Sequence, residues 1–184
     1  MGIASGLARA GGLIGRSARV RRSMGGVGRR AAACAAVCGL ALGLAGTGHA
    51  SQPDIYPPSS QAQADLNAGL AAAAAAHKRV IVDFGGNWCT DCHVLDLYFH
   101  DATNRPLLEA GYVLVHVNIG RHDANLDLAA RYQIPLDKGV PALALLDEHG
   151  KLLFTQKGGE FEDMRHMSSS AVTEFLTHWK PSRT

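Results

Sequence analysis

The chain has 184 residues, of which 18 are Lys or Arg and 16 are Asp or Glu, for a formal net charge of +2. Residues 1–50 carry seven arginines and no acidic residue, so their charge of +7 leaves −5 for residues 51–184. The eleven basic side chains of this acidic body are scattered among sixteen acidic ones, which excludes the concentrated basic footprint of a nucleic-acid-binding protein. The body contains two cysteines, which excludes a small scaffold stapled by several disulfides.

Residues 1–50 have the organisation of an export signal. A pair of arginines precedes a run of fifteen apolar residues at 31–45, and small residues occupy the −3 and −1 positions of a cut between Ala50 and Ser51. Because a membrane span needs about 20 apolar residues, we predict a cleaved signal peptide, with an uncleaved anchor as the alternative. Translation from Met24 would give a leader of ordinary length. We therefore expect a periplasmic or otherwise extracytoplasmic protein.

The body divides into a Pro- and Ser-rich linker at residues 51–60 and one domain at residues 61–184. Within the domain, apolar periodicity and β-branched runs predict alternating helices and strands. The predicted helices cover residues 61–77, 92–102, 126–132 and 170–180, and the predicted strands cover residues 79–84, 112–119, 142–146 and 152–156. The first two strands are apolar runs, which indicates burial on both faces. The order αβαβαββα predicts an α/β fold with a central mixed sheet of about four strands flanked by helices.

The most informative segment is residues 88–93, Trp-Cys-Thr-Asp-Cys-His. As Cys-x-x-Cys it is a dithiol–disulfide switch, and as Cys-x-x-Cys-His it is the attachment signature of a c-type haem. A third alternative is a soft-metal site in which Cys89, Cys92 and His93 bind Cu(I). The segment follows a predicted buried strand and a glycine-containing turn and opens a helix, which is the setting of a redox dithiol. We therefore predict a redox disulfide between the two cysteines and no cofactor.

The two cysteines are expected to have different roles. Cys89 lies at the start of the helix, where unpaired backbone N–H groups and the helix dipole stabilise the thiolate that attacks disulfides. Cys92 lies one turn inside the helix and resolves the mixed disulfide. Trp88 offers partner proteins a flat apolar surface beside the nucleophile. Asp91 opposes a thiolate by its charge, which predicts a reducing rather than a strongly oxidising couple.

Residues 82–92, Val-Asp-Phe-Gly-Gly-Asn-Trp-Cys-Thr-Asp-Cys, resemble the strand and active-site segment of the thioredoxin family, and the resemblance covers about residues 62–180. It implies a thioredoxin fold in which Asp83 is a buried acid that helps to deprotonate the resolving thiol. Burial of an isolated carboxylate raises its pKa, and a proton acceptor that works near pH 7 needs a raised pKa. The resemblance also implies that Val140 and Pro141 correspond to the family's cis-proline, which faces the cysteines and holds the substrate chain by backbone pairing.

The chain departs from the usual thioredoxin pattern at three places. Gly85 stands where an aromatic residue is usual, Thr-Asp at 90–91 stands where Gly-Pro is frequent, and His93 replaces a common basic residue. His116 occupies the position of a family lysine that lies close to the buried acid. From there it would share or tune the proton of Asp83, with an ordinary structural histidine as the alternative.

These observations predict an exported thiol–disulfide oxidoreductase that reduces protein disulfides through Cys89 and Cys92. A reductant in an oxidising compartment must be recharged, so we expect a membrane-embedded electron donor as a further partner. We expect a monomer that binds no nucleic acid and that contacts the membrane only through an uncleaved leader.

Overall fold

The computed structural model describes residues 53–182. The predicted signal peptide and the first residues of the predicted linker lie outside the described residues. Within residues 53–182 no helix has the length and apolar character needed to cross a membrane. The helices are α1 (Ala62–Ala76), α2 (Thr90–Phe99), α3 (Asn104–Gly111), α4 (Leu126–Arg131) and α5 (Ser170–His178), and the strands are β1 (Arg79–Gly85), β2 (Tyr112–Asn118), β3 (Ala142–Leu146) and β4 (Leu152–Thr155).

The four strands form one mixed sheet in the order β2-β1-β3-β4. β1 pairs with β2 in parallel and with β3 antiparallel, and β3 pairs antiparallel with β4, so the predicted mixed sheet is confirmed. β1 is central and almost completely buried, as its continuous apolar run predicts. The prediction that β2 is buried on both faces is wrong. β2 lies at an edge of the sheet and is only partly buried, because it has a neighbouring strand on one side only.

Helices cover both faces of the sheet, and each face has its own apolar core. α1 and α4 pack on the face that carries Val80, Val82 and Phe84. α2, α3 and α5 pack on the face that carries Ile81 and the alternate residues of β3. This division follows from the strand geometry, since successive side chains of a strand point to opposite faces. The first turn of α2, where the cysteines lie, is thereby held at one end of the central strand.

The helix predicted at residues 92–102 corresponds to α2, which begins at Thr90 and ends at Phe99. After a short turn the structure has a further helix, α3, which the periodicity does not predict. Asp101 closes the turn, because its Oδ1 accepts hydrogen bonds from Thr103 N (2.8 Å) and Asn104 N (2.7 Å). Pro106 stands in the first turn of α3, where its missing N–H costs no helical hydrogen bond. Because α3 has only eight residues and begins with Asn-Arg-Pro, apolar spacing alone gives too weak a signal for it.

The segment predicted as a linker packs against the domain. We name residues 54–58 the strap. Its Tyr56 side chain is only 2% exposed and belongs to the core that contains α1 and α4. Asn118 Nδ2 donates a hydrogen bond of 3.0 Å to Pro57 O. The strap forms no helix or strand and is held by individual contacts, so its sequence shows no apolar periodicity.

Candidate active site

Cys89 and Cys92 lie where β1 leads into α2, and they form a disulfide with their Cα atoms 5.3 Å apart. Cys89 is the N-cap of α2, and its Sγ accepts a hydrogen bond of 3.1 Å from Cys92 N. Cys89 is 6% exposed, whereas Cys92 is fully buried. The Cys92 N–H therefore points at Cys89 Sγ, the sulfur that lies nearer the surface. A hydrogen bond of this kind stabilises a thiolate.

Val140 and Pro141 lie opposite the cysteines. The peptide bond between them is cis, and β3 begins at the next residue. Val140 O is 3.5 Å from Cys89 Sγ. A carbonyl oxygen at this place accepts a hydrogen bond from a protonated thiol and repels a thiolate, so it offsets part of the stabilisation given by the helix.

Asp83 lies within β1 and is 1% exposed, so it is not a solvated residue at the end of the strand. Its Oδ2 accepts hydrogen bonds from Tyr56 Oη (2.6 Å) and from His116 Nδ1 (2.9 Å). Its Oδ1 is buried and has no hydrogen-bond partner among the described residues. A Cβ added to Gly85 would lie 2.7 Å from Cys92 Sγ and would overlap the Tyr56 hydroxyl. Tyr56, which is hydrogen-bonded to Asp83, therefore lies close to Cys92 Sγ at the end of β1.

The chain is similar to known proteins. A family model described as "Thioredoxin-like" matches residues 61–148. The crystal structure of a disulphide isomerase from Xylella fastidiosa Temecula1 matches with a TM-score of 0.63 and 33% sequence identity, over 67% of this chain and 95% of that chain. The chain belongs to the thioredoxin-like family. The predicted resemblance and the predicted fold class are thereby confirmed.

More distant thioredoxins also match. A thioredoxin from Thermus thermophilus is 22% identical with a TM-score of 0.46, over 67% of this chain and 83% of that chain. A mutant thioredoxin from Halobacterium salinarum NRC-1 is 18% identical with a TM-score of 0.44, over 66% of this chain and 88% of that chain. A comparison with curated proteins gave no match.

His116 is the register partner of Asp83 on β2 and lies between two carboxylates. Its Nδ1 is 2.9 Å from Asp83 Oδ2, and its Nε2 is 3.6 Å from Asp96 Oδ1. Burial of the ring opposes its protonation, but the hydrogen bond to Asp83 and the charges of Asp83 and Asp96 outweigh burial and raise the pKa of His116. The structure thus brings His116 into contact with the buried acid, at the position that the family resemblance indicated.

Tyr56 is a residue of the site that sequence reasoning missed. It precedes Asp83 by 27 residues in a segment without periodicity, so spacing gives no sign that the two side chains meet. Burial first, and then the charge and hydrogen bond of Asp83, raise the pKa of Tyr56 well above its usual value, so the hydroxyl is a permanent donor near neutral pH. One signal was available. Gly85 lacks the aromatic side chain usual at its position and leaves space that a distant residue fills.

The carboxylate between the cysteines has a cationic partner. Asp91 Oδ1 accepts a hydrogen bond of 2.9 Å from Arg165 N, and Arg165 Nε is 3.1 Å from both carboxylate oxygens. Burial opposes ionisation of Asp91, yet these hydrogen bonds and the Arg165 charge hold its pKa below the usual value. The prediction of a reducing couple counted the charge of Asp91 without a neighbouring positive charge. That premise needs correction, because Arg165 offsets the charge.

Trp88 is 39% exposed beside Cys89. Its Nε1 donates a hydrogen bond to Gly120 O, and the Arg121 guanidinium lies 5.5 Å from the ring centroid. The His122 ring lies on the same indole with its centroid 5.6 Å away. These contacts hold the indole as a partly exposed aromatic surface next to Cys89.

The His93 ring is hydrogen-bonded to the backbone of the active-site turn. It is buried in α2, and its Nε2 donates a hydrogen bond of 3.0 Å to Asn87 O. To bind a haem iron or a copper ion through Nε2, the ring would have to give up this hydrogen bond. Within residues 53–182 no three His, Cys, Asp or Glu side chains are grouped so as to hold a metal ion. The structure thus places the two sulfurs in a disulfide and groups no third such ligand with them in the described residues.

Proposed function

We propose that the protein is an exported thiol–disulfide oxidoreductase that passes electrons from the Cys89–Cys92 dithiol to the disulfides of other proteins. The observation that carries this proposal is the hydrogen bond of 3.1 Å from Cys92 N to Cys89 Sγ at the N-terminus of α2. A sulfur in this position is stabilised as a thiolate, which is the form that attacks disulfides. Cys89 is also the less buried sulfur of the pair.

In the proposed reaction, the Cys89 thiolate attacks one sulfur of a target disulfide, which forms a mixed disulfide and releases the other target sulfur as a thiolate. Asp83 then accepts the proton of the Cys92 thiol, and the Cys92 thiolate attacks Cys89 Sγ. The Cys89–Cys92 bond forms, and the second target sulfur leaves as a thiolate. Two electrons have moved to the target. Its two thiolates take up one proton from Asp83 and one from the solvent.

We propose that electrons flow in the reducing direction. Among the described residues, the hydrogen-bond partners of Cys89 Sγ are two backbone groups, Cys92 N and Val140 O. The N–H favours the thiolate, and the carbonyl favours the protonated thiol. A strong oxidant requires a strongly stabilised thiolate in its reduced form. One donor opposed by one carbonyl gives only modest stabilisation, which supports a reductant.

The proposed compartment and electron donor follow from the leader. We infer that residues 1–50 export the domain to the periplasm, either with cleavage near the Ala50–Ser51 bond or as a membrane anchor. A dithiol that reduces disulfides in an oxidising compartment must itself be reduced again. The proposed donor is therefore a membrane-embedded thiol protein, and the domain at residues 61–184 works as a monomer.

We propose that the target chain lies across Trp88 and the segment at Val140 and Pro141. Trp88 supplies an exposed aromatic face on one side of Cys89. On the other side, Val140 O lies 3.5 Å from Cys89 Sγ. An extended target chain that pairs with this backbone brings its disulfide within reach of the nucleophile, in the manner of strand addition.

The test of the proposed function is a trapping experiment with the Cys92→Ser variant. Without Cys92, the mixed disulfide between Cys89 and a target cannot be resolved, so covalent complexes should accumulate when the variant is exported. They should disappear on treatment with a thiol reductant. Cys89→Ser is the matched control and should trap nothing. Equal yields of complexes from the two variants, or none from either, would contradict the proposal.

A further inference from the structure

One side chain fastens the strap to the active-site turn. Asn87 directly precedes Trp88, and its Oδ1 accepts hydrogen bonds from Ile55 N (3.0 Å) and Tyr56 N (2.8 Å). Its Nδ2 donates a hydrogen bond of 2.9 Å to Tyr56 O. The amide of Asn87 therefore pairs with strap backbone through both its oxygen and its nitrogen. This fixes the position of Tyr56 relative to the turn that carries the cysteines.

The Tyr56 ring fills a space that the sequence leaves open at the end of β1. A Cβ at Gly85 would lie 2.7 Å from Tyr56 Cζ and 2.7 Å from Cys92 Sγ. No side chain larger than that of glycine fits there while both groups keep their places. Tyr56 therefore lies beside Cys92 Sγ and over the backbone of Gly85.

The Tyr56 hydroxyl and His116 leave the two oxygens of Asp83 unequal. Both hydrogen bonds, from Tyr56 Oη at 2.6 Å and from His116 Nδ1 at 2.9 Å, go to Oδ2. Oδ1 is buried and has no partner among the described residues. An unpaired buried carboxylate oxygen costs free energy, and it is also an acceptor ready for a proton. The ionisable groups at the carboxylate are Tyr56 from the strap and His116 from β2, with Asp96 of α2 behind His116. Cys92 lies on the other side of Tyr56, since both flank the place that a Gly85 Cβ would take.

We propose that Tyr56 is a positioning residue of the redox site: it holds Asp83 Oδ2 so that Oδ1 is the oxygen that takes the Cys92 proton. This inference rests on the proposed function. In the step concerned, the Cys92 S–H bond breaks and an O–H bond forms at Oδ1, and the electron pair left on sulfur attacks Cys89 Sγ. The electrons of the mixed disulfide bond leave with the target thiolate. Tyr56 keeps its own proton throughout.

Tyr56→Phe tests this role, because it keeps the ring and removes the hydroxyl. The fully reduced full-length chain, with Cys34 and Cys38 replaced by Ser in every variant and in the wild-type reference so that Cys89 and Cys92 are its only thiols, is mixed with one equivalent of dithiobis(nitrobenzoate), a symmetrical aromatic disulfide. A first coloured thiolate appears when Cys89 attacks, and a second appears when Cys92 resolves the mixed disulfide. Tyr56→Phe should leave the first phase unchanged and slow the second by about tenfold, the effect of one hydrogen bond to a charged group. The pH midpoint of the second phase should rise, since the lost bond favoured the ionised carboxylate.

Tyr112→Phe is the matched control. Its hydroxyl donates a buried hydrogen bond, also of 2.6 Å, to Leu176 O, away from the cysteines. It should change neither phase. Asp83→Asn should slow the second phase, and adding Tyr56→Phe to Asp83→Asn should have no further effect, because Tyr56 acts through Asp83.

The outcomes separate this inference from the proposed function. If the wild-type chain releases no thiolate, Cys89 does not react and the proposed function fails with the inference. If both phases occur and Tyr56→Phe changes neither, the inference alone is wrong. A slower second phase that keeps the wild-type pH midpoint also overturns it, because that result reports lost packing rather than a placed proton acceptor.

Discussion

Arg165 clamps Asp91, the residue directly before the resolving cysteine. Its Nε lies 3.1 Å from both carboxylate oxygens, and its backbone N lies 2.9 Å from Oδ1. Arg165 belongs to the segment between β4 and α5, so the pair joins distant parts of the chain at the first turn of α2. The positive charge of Arg165 therefore offsets part of the effect that the negative charge of Asp91 has on Cys89. The pair therefore sets how strongly this turn disfavours a thiolate.

Arg165→Ala should make the Cys89–Cys92 couple more reducing. Without the guanidinium, the Asp91 carboxylate disfavours the Cys89 thiolate and so destabilises the reduced form. The potential should fall by about 10–20 mV, the equivalent of a half-exposed ion pair worth up to 1 kcal/mol. Equilibration with glutathione buffers measures the change. Arg131→Ala, which removes the same charge from α4, should leave the potential unchanged, and a rise in the Arg165→Ala potential would contradict the prediction.

The wild-type couple should have a reducing potential. The modest stabilisation of the Cys89 thiolate by one N–H, opposed by Val140 O, places the expected value near about −270 mV, which is typical of a reductant. The same glutathione equilibrium measures it. A value near about −120 mV, typical of a strong oxidant, would refute the reducing direction while leaving thiol–disulfide exchange itself intact.

The stabilisation that His116 gives to the oxidised protein should be lost as the pH rises. Its pKa is raised in the folded state by Asp83 and Asp96 against the effect of burial. The stabilisation from its proton is therefore complete below about pH 6.5, the ordinary histidine value, and is lost as the pH rises through the raised pKa. His116→Gln should accordingly lose more free energy of unfolding at about pH 5 than at about pH 9.

Urea unfolding of the oxidised wild type and of His116→Gln at the two pH values tests this dependence, since thiols do not titrate in the disulfide form. His178→Gln is a suitable control, because His178 is exposed near the end of α5. It should lose the same small amount at both pH values. Equal losses at both pH values for His116→Gln would show that the ring has only a packing role.

Gly69→Ala should destabilise the domain although Gly69 lies in a helix. Ala normally stabilises a helix over Gly by about 1 kcal/mol. Here the added Cβ would lie 2.5 Å from Val115 Cγ2, where α1 packs on β2. Overpacking of this kind costs about 1–3 kcal/mol. Thermal or urea unfolding should show a net loss, and a second change, Val115→Ala, should recover part of it. A Gly69→Ala protein more stable than the wild type would mean that α1 moves away without cost.

Most of the fold could be predicted because its signals are local. The apolar run of β1 and the hairpin of β3 and β4 are each contained in a few consecutive residues, and their observed bounds differ from the predicted ones by a residue or less. The errors concern features that depend on the rest of the molecule. Whether β2 is central or at an edge is decided by the sheet order, and α3, with eight residues, is too short for its apolar spacing to stand out.

The site divides in the same way. The cysteines carry a motif, and Asp83, His116 and the Val140–Pro141 pair could be placed because they match family positions. Tyr56 and Arg165 could not, because they reach the site across 27 and 74 residues of sequence. No sequence motif or spacing links either residue to the residue that it contacts. Both belong to segments that sequence reasoning treated as connections.

The most direct test of the central claim is the rate at which Cys89 is alkylated by iodoacetamide near pH 7. In the Cys92→Ser variant, mass spectrometry of the peptide that contains Cys89 follows this one sulfur. The account predicts a rate about five to ten times that of free cysteine, whose pKa is about 8.5, with slow reaction of Cys92 in Cys89→Ser. A Cys89 rate equal to or below that of free cysteine would contradict the claim that the N-terminus of α2 activates it.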